Sequence, residues 1–296
     1  FILASVVFSA FRSPIHPLAD SMVLSSGLDY GNVRAFGSIA FGVGILALGW
    51  LIEWFGTPLI FYVYVVGMVV FVLTLRGLER PDADIAPDLR REGIALVKNR
   101  QFILLLAVAV LIGAASAAGG SFFSVYMRAV EASMVVGPWS LSPDAVTGLS
   151  WAIKTAFEAA AFVYAVRLSW SYRTFLLFGG VAVAVPNVVY GLTGQPWAII
   201  AVQSASGLGY GLYYVAIVNL VYVVASDRVT STAQTVLTGA GLGFGGAVGQ
   251  VAGGELMDLV GIQEMYLYPA VVGFVGAAVA LFVRQDGSIG DEKRAV

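Results

Sequence analysis

The sequence predicts an all-α protein that crosses a membrane many times. Three observations carry this. Of 296 residues, 59% are hydrophobic and 11% charged, with mean hydropathy +0.87, whereas a soluble domain holds about 25% charged residues. Apolar runs of about 20 residues, the length that spans a hydrocarbon core, recur along the whole chain. Positive charge gathers in alternate connections between those runs, the pattern that orients membrane helices.

The runs lie at roughly 1–24, 31–54, 58–76, 101–127, 145–166, 174–193, 196–224, 230–256 and 265–284. The first carries Arg12, His16 and Asp20, four residues apart and so on one helix face. Pro14 and Pro17 interrupt the same helix, each removing a backbone N–H. Charge and broken backbone at membrane depth are tolerated against a water-filled cavity or other protein. Arg12 stays charged and needs an anion; His16 titrates near neutral pH. Both are therefore candidates for the solute and proton path, and Asp20, near the end of the run, for a gate with Arg34. The next stretch, DYGNVRAFGS, is a polar turn feeding a glycine-rich helix. It reads as a hinge.

The run at 145–166 holds Glu158 beside Phe157 and Ala159, with Lys154 one turn away on the same face. Burial disfavours a charged carboxylate, so Glu158 suits proton exchange or solute contact. The alternative is an ion pair of the two that lets the helix insert. Asn187, Gln203, Asn219, Tyr126, Tyr210, Tyr213 and Tyr214 are further cavity candidates; aromatic walls suit a ring-bearing or sugar-like solute, and suit packing equally. In the run at 230–256, Gly241, Gly245, Gly249 and Gly253 recur every four residues, a face on which helix backbones approach closely. Gly37, Gly42, Gly44 and Gly49 repeat the theme in the second run.

Placing the loop after the first run in the cytoplasm collects Arg34, Arg76, Arg80, Arg90, Arg91, Lys98, Arg100, Arg167, Arg173, Arg228, Arg284, Lys293 and Arg294 on that side, and leaves Arg128 alone on the other. This puts the visible N-terminus outside and the C-terminus inside. An internal repeat supports the order of helices: Gly49-Trp50-Leu51-Ile52-Glu53-Trp54-Phe55-Gly56 returns as Gly254-Glu255-Leu256-Met257-Asp258-Leu259-Val260-Gly261. Each copy closes a glycine-rich run and precedes the last run of a set, so the repeat unit is six helices in parallel orientation. The first unit shows only its last three, with three more expected ahead of Phe1, where the chain opens without Met or a signal-peptide pattern. The expected organisation is 1–76 as the remainder of an N-terminal six-helix bundle, 77–100 as a cytoplasmic linker, 101–284 as a C-terminal six-helix bundle and 285–296 as a polar tail. Asp82, Asp84 and Asp88 read as part of the solvated linker. Its second half has the pattern of a short amphipathic helix.

Several classes are excluded. The chain has no cysteine, a single histidine and net charge −2, so no disulfide framework, multi-histidine metal site or basic nucleic-acid surface is expected. No HExxH, GxSxG or P-loop pattern occurs. No cofactor is called for, and an intramembrane enzyme would need a nucleophile–base or metal cluster that the spacing does not offer.

The segments SPIHPLADS (13–21), DYGNVRAFGSIAF (29–41), the glycine-rich approach to Gly56, and SWAIKTAFEAAAF (150–162) with Trp151, Glu158 and Phe162 resemble the major facilitator superfamily. The likeness is nearest to its phenylpropionate-type permease branch and the nucleoside- and lactose-proton symporters. The resemblance implies two six-helix bundles around a central cavity, helices 4 to 12 being the visible ones, and alternating access. It implies Glu158 as a functional acid and Asp29, Tyr30, Gly31, Arg34, Gly37 and Ser38 as the hinge. Arg12, His16 and Lys154 depart from the usual pattern and leave the solute open: an aromatic acid, another anion, a nucleoside or a sugar. The expectation is a monomeric, proton-coupled symporter in the cell membrane, partnered by a small solute, protons and lipid. A uniporter or antiporter, or a non-transporting receptor on the same fold, are the rivals.

Overall fold

The computed structural model describes residues 15, 18, 19, 22, 23, 30–56, 58–76, 94, 96, 98–165, 167, 168, 170–225 and 230–284. Arg12, His16, Asp20 and Asp29, the linker over 77–93 and the tail beyond 284 lie outside the described residues. Long apolar helices dominate: α1 (Tyr30–Phe55), α2 (Leu59–Leu75), α3 (Arg100–Ser121), α4 (Phe123–Ala129), α5 (Pro143–Ala165), α6 (Tyr172–Leu192), α7 (Pro196–Val224), α8 (Thr230–Thr238), α9 (Gly246–Val260) and α10 (Leu267–Ala280). Among the described residues α3, α6 and α7 suffice by length and apolarity alone to cross a bilayer. α5 is equally long but carries a polar face.

The helices from α3 onward form the six-helix bundle expected of 101–284. α7 packs on α5 and α6, α10 on α6 and α3, and α9 on α3. α1 crosses from the first half and lies along α5, with α2 beside it. α2 has no buried side chain, as fits a helix facing lipid or further helices. Ahead of α3, residues 94, 96 and 98 are helical and Leu96 is buried, in keeping with the amphipathic pattern.

Three details differ from the pattern read off the sequence. The run at 101–127 is two helices, because the chain turns at Phe122 (φ −99°, ψ 0°). A hairpin, β1 (Met134–Val136) with antiparallel β2 (Trp139–Leu141), interrupts the all-α pattern. Its two-residue turn puts Gly137 first at φ +58°, the glycine-first arrangement that matches strand twist. The run at 230–256 contains a π-helical turn, Gly239–Gly245, between α8 and α9.

That turn aligns the glycine stripe. An α-helix advances about 100° per residue, so each four-residue step over-rotates by about 40° and a long stripe drifts off its partner. A π turn is wider and advances less per residue, which takes part of the drift back. The stripe then stays against α3. A methyl at Gly245 would lie 2.6 Å from the Val110 carbonyl; at Gly241 and Gly249 it would meet the Ala109 and Ala114 carbonyls, and at Gly253 the Phe122 ring. The repeat also has a structural counterpart: both copies end their helix on a glycine with positive φ, Gly56 at +79° after α1 and Gly261 at +94° after α9. L-residues strain there, so glycine marks both helix ends.

One end of the bundle is held by aromatic rings. Tyr126, Tyr190 and Tyr266 pack mutually at centroid distances of 4.8–5.7 Å. The Tyr126 hydroxyl donates to the carbonyls of Tyr190 (2.9 Å) and Thr193 (2.8 Å), and that of Tyr266 to Gly119 (3.1 Å). These bonds end three helices that have no other cap at this level. Tyr126→Phe keeps the ring and strands the acceptors, so a stability loss of about 1–2 kcal/mol is expected in thermal melts of detergent-solubilised protein.

Candidate functional site

A cavity of about 580 Å³ lies between α1 and the second bundle. Its walls are set by helical spacing. On α5, Trp151, Lys154, Thr155 and Glu158 stand at i, i+3, i+4 and i+7, one face of a helix. α1 contributes Arg34, Gly37 and Ser38 across the gap. Tyr210 enters from α7, Ser116 from α3 and Gln250 from α9.

The two sides touch through one short hydrogen bond. The Ser38 hydroxyl donates to the Glu158 carboxylate at 2.8 Å, both residues being buried. Glu158 also feels the positive charges of Lys154 and Arg34. Lys154 makes no contact ion pair with Glu158, as the insertion-pair alternative would require. Its ammonium sits over the rings of Trp151 (4.9 Å) and Tyr210 (5.8 Å) instead. The Arg34 guanidinium sits over Tyr214 (4.7 Å) and Phe162 (5.6 Å). Aromatic faces attract cations electrostatically, more strongly where water is excluded. These rings let two cations stand beside a single carboxylate.

The close approach of α7 to α5 comes from glycine. A methyl at Gly207 would collide with the Lys154 carbonyl, and at Gly211 would lie 2.9 Å from the Glu158 carbonyl. Gly209, two residues on, faces Ala182 of α6 instead. The run GLGYGLYY thus places one helix against two neighbours and turns Tyr210 to the cavity. Across the gap, a methyl at Gly42 would lie 2.6 Å from the Thr155 hydroxyl, so α1 also reaches α5 at a glycine.

Behind Lys154 the cavity continues into a recess of about 70 Å³, sharing Ser116, Trp151, Lys154 and Tyr210 with it and adding Asn187, Gln203 and Ser206. Asn219, by contrast, is half-buried on α7, spends its amide N–H on the Val215 carbonyl (2.8 Å) and lines neither space. Tyr30 and Gly31 open α1 as buried residues, while Arg34, Gly37 and Ser38 lie on the cavity wall itself. Ser116, Thr155, Ser206 and Gln250 are wall residues that sequence reasoning passed over. Thr155 alone had a signal, its place on the Lys154–Glu158 face. Among the described residues no cluster of acids and histidine suits a metal ion.

A family model described as "MFS_1 like family" matches residues 1–268. The chain is 26% identical over 301 residues to the maltose permease of Geobacillus stearothermophilus, covering 99% of this chain and 74% of that protein. It is 25% identical to the uncharacterized transporter YwbF of Bacillus subtilis, over 96% of this chain and 70% of that protein. It is 27% identical to a probable 3-phenylpropionic acid transporter of Escherichia coli, over 92% and 74%. A crystal structure of a POT family transporter in complex with a thioalcohol-conjugated peptide superposes with a TM-score of 0.51 at 12% identity. The match takes in 95% of this chain and 52% of that one, so the chain spans about half the length of the solved structure, and the likeness is one of fold alone.

Proposed function

The chain belongs to the MFS_1 like family, whose relatives here are membrane transporters, and from that premise we propose that it is a proton-coupled symporter of a small organic solute. α1 and α2 belong to the first bundle and α3 to α10 to the second, and the two rock about the cavity between them. The observation that supports this reading most is the Ser38–Glu158 hydrogen bond. It ties the two bundles through the one carboxylate among the cavity-lining residues. An ionised Glu158 accepts from Ser38 and is balanced by Lys154 and Arg34. A protonated Glu158 loses that balance and frees the cations to meet a solute. Protonation and solute binding then favour the same rearrangement, which is the requirement for coupled transport.

The orientation read from the arginine and lysine asymmetry places this cycle in the cell membrane with the C-terminus inside. The test uses the protein in liposomes holding a pH-sensitive dye. Adding solute under an inward proton gradient is expected to speed proton entry, with aromatic acids, nucleosides and sugars tried in turn. Solute exchange without proton movement would make the protein a uniporter and Glu158 a structural group.

A further inference from the structure

The recess behind Lys154 carries an unusual pair of demands. Asn187 is 4% exposed and sits on α6 one turn after Val183. Its amide nitrogen donates to the Val183 carbonyl at 2.7 Å. That bond decides which way the amide faces, since a flipped group would set oxygen against oxygen. The Asn187 Oδ1 is therefore an acceptor, it has no hydrogen-bond partner in the protein, and it points beside Gly119, whose missing side chain leaves it room. A buried acceptor left unmet costs stability, and such groups in native proteins have a reason. Lys154, from the other wall of the same recess, offers N–H donors and touches no carboxylate.

A group filling this recess must donate to Asn187 and accept from Lys154. A solute ammonium donates but is repelled by Lys154. A carboxylate accepts from Lys154 but sets a second bare oxygen against Asn187. A hydroxyl does both from one atom, and Gln203 and Ser206 supply further partners of either sense. The mouth of the recess is walled by Trp151 and Tyr210, flat faces against which the C–H side of a sugar ring packs. The volume of about 70 Å³ admits a hydroxyl or hydroxymethyl group and no whole ring.

We propose that this recess is a hydroxyl-recognition subsite, and that the solute is a sugar or glycoside whose ring rests at Trp151 and Tyr210 with one hydroxyl held between Asn187 and Lys154. The inference rests on the transport reading above, and its test separates the two. Equilibrium binding to the purified protein is measured for maltose, sucrose, uridine and 3-phenylpropionate. A hydroxylated compound binds best. Among single-deoxy analogues of that compound, one loses affinity roughly 10- to 100-fold, the scale of one buried polar partner. Asn187→Leu loses a similar factor for the parent compound and none further for that analogue. Tighter binding of 3-phenylpropionate than of every hydroxylated compound overturns the proposal, as does a deoxy series that binds evenly, the mark of a recess filled by water. Should Asn187→Leu not fold, the deoxy series on the unsubstituted protein decides alone. Binding of a sugar without coupled proton flux keeps the subsite and removes the symport reading. Proton flux with 3-phenylpropionate only does the reverse.

Discussion

Replacing Glu158 by glutamine is expected to bring proton-driven accumulation down to simple equilibration while solute exchange continues. Glutamine keeps the length of the side chain and an oxygen able to accept from Ser38, so the bond between α1 and α5 survives. What it removes is the exchangeable proton. Accumulation of solute in liposomes under an imposed pH gradient should fall to a ratio near one, and exchange should lose its pH dependence. The variant also leaves Lys154 without its carboxylate neighbour in a half-buried place, and an uncompensated buried charge is destabilising by several kcal/mol at the upper end. A second substitution, Lys154→Met, then restores stability without restoring accumulation. Undiminished accumulation in Glu158→Gln would move the coupling proton to another group. Ser38→Ala separates the bond from the proton: it should weaken coupling and leave its pH dependence in place.

Gly207→Val is expected to be the most damaging change outside the charged groups. Its Cβ would occupy the position of the Lys154 carbonyl, and the Glu158 amide nitrogen lies 3.0 Å away. Both obstacles are backbone, so no side chain can move aside and α7 must leave α5. Overpacking a close-packed site costs about 1–3 kcal/mol and occasionally more, and here it also parts the walls that hold Lys154, Glu158 and Tyr210. Thermal melts should show a lower midpoint, and solute binding should fall together with transport. Gly148→Ala is the control. A methyl there meets nothing within 4 Å, and alanine favours helix over glycine, so stability should hold or rise. Equal damage from the two would place the cause in helix propensity rather than in contact.

The helices were legible because a bilayer imposes length and apolarity on each of them, and those are properties of composition. α2 and α6 sit within a few residues of the runs read from hydropathy. The face of α5 was legible too, since Lys154 and Glu158 are a turn apart and spacing alone puts them together. The turn at Phe122, the π turn and the hairpin were not legible. Each depends on what packs beside it, and local apolarity is the same either way. Likewise Asn187 was visible as an amide in a membrane run, but its bond to Val183 and its bare oxygen beside Gly119 belong to the meeting of α6 with α3. Ser38 gave no sign of facing Glu158, because 120 residues separate them. Arg34 shows the same limit. It counted as loop charge in the orientation argument and lies on the cavity wall.

The π turn has a consequence for how this chain can change through evolution. Gly239 and Gly243 face outward, and a methyl on either meets nothing within 4 Å, so those positions are free to vary in kind. The number of residues between Thr238 and Gly246 is not. Losing one would swing all that follows by about 100°, carrying Gly249 and Gly253 off α3 and Gln250 out of the cavity. This segment should therefore accept many substitutions and no single-residue insertion or deletion, so that its length is inherited more faithfully than its letters.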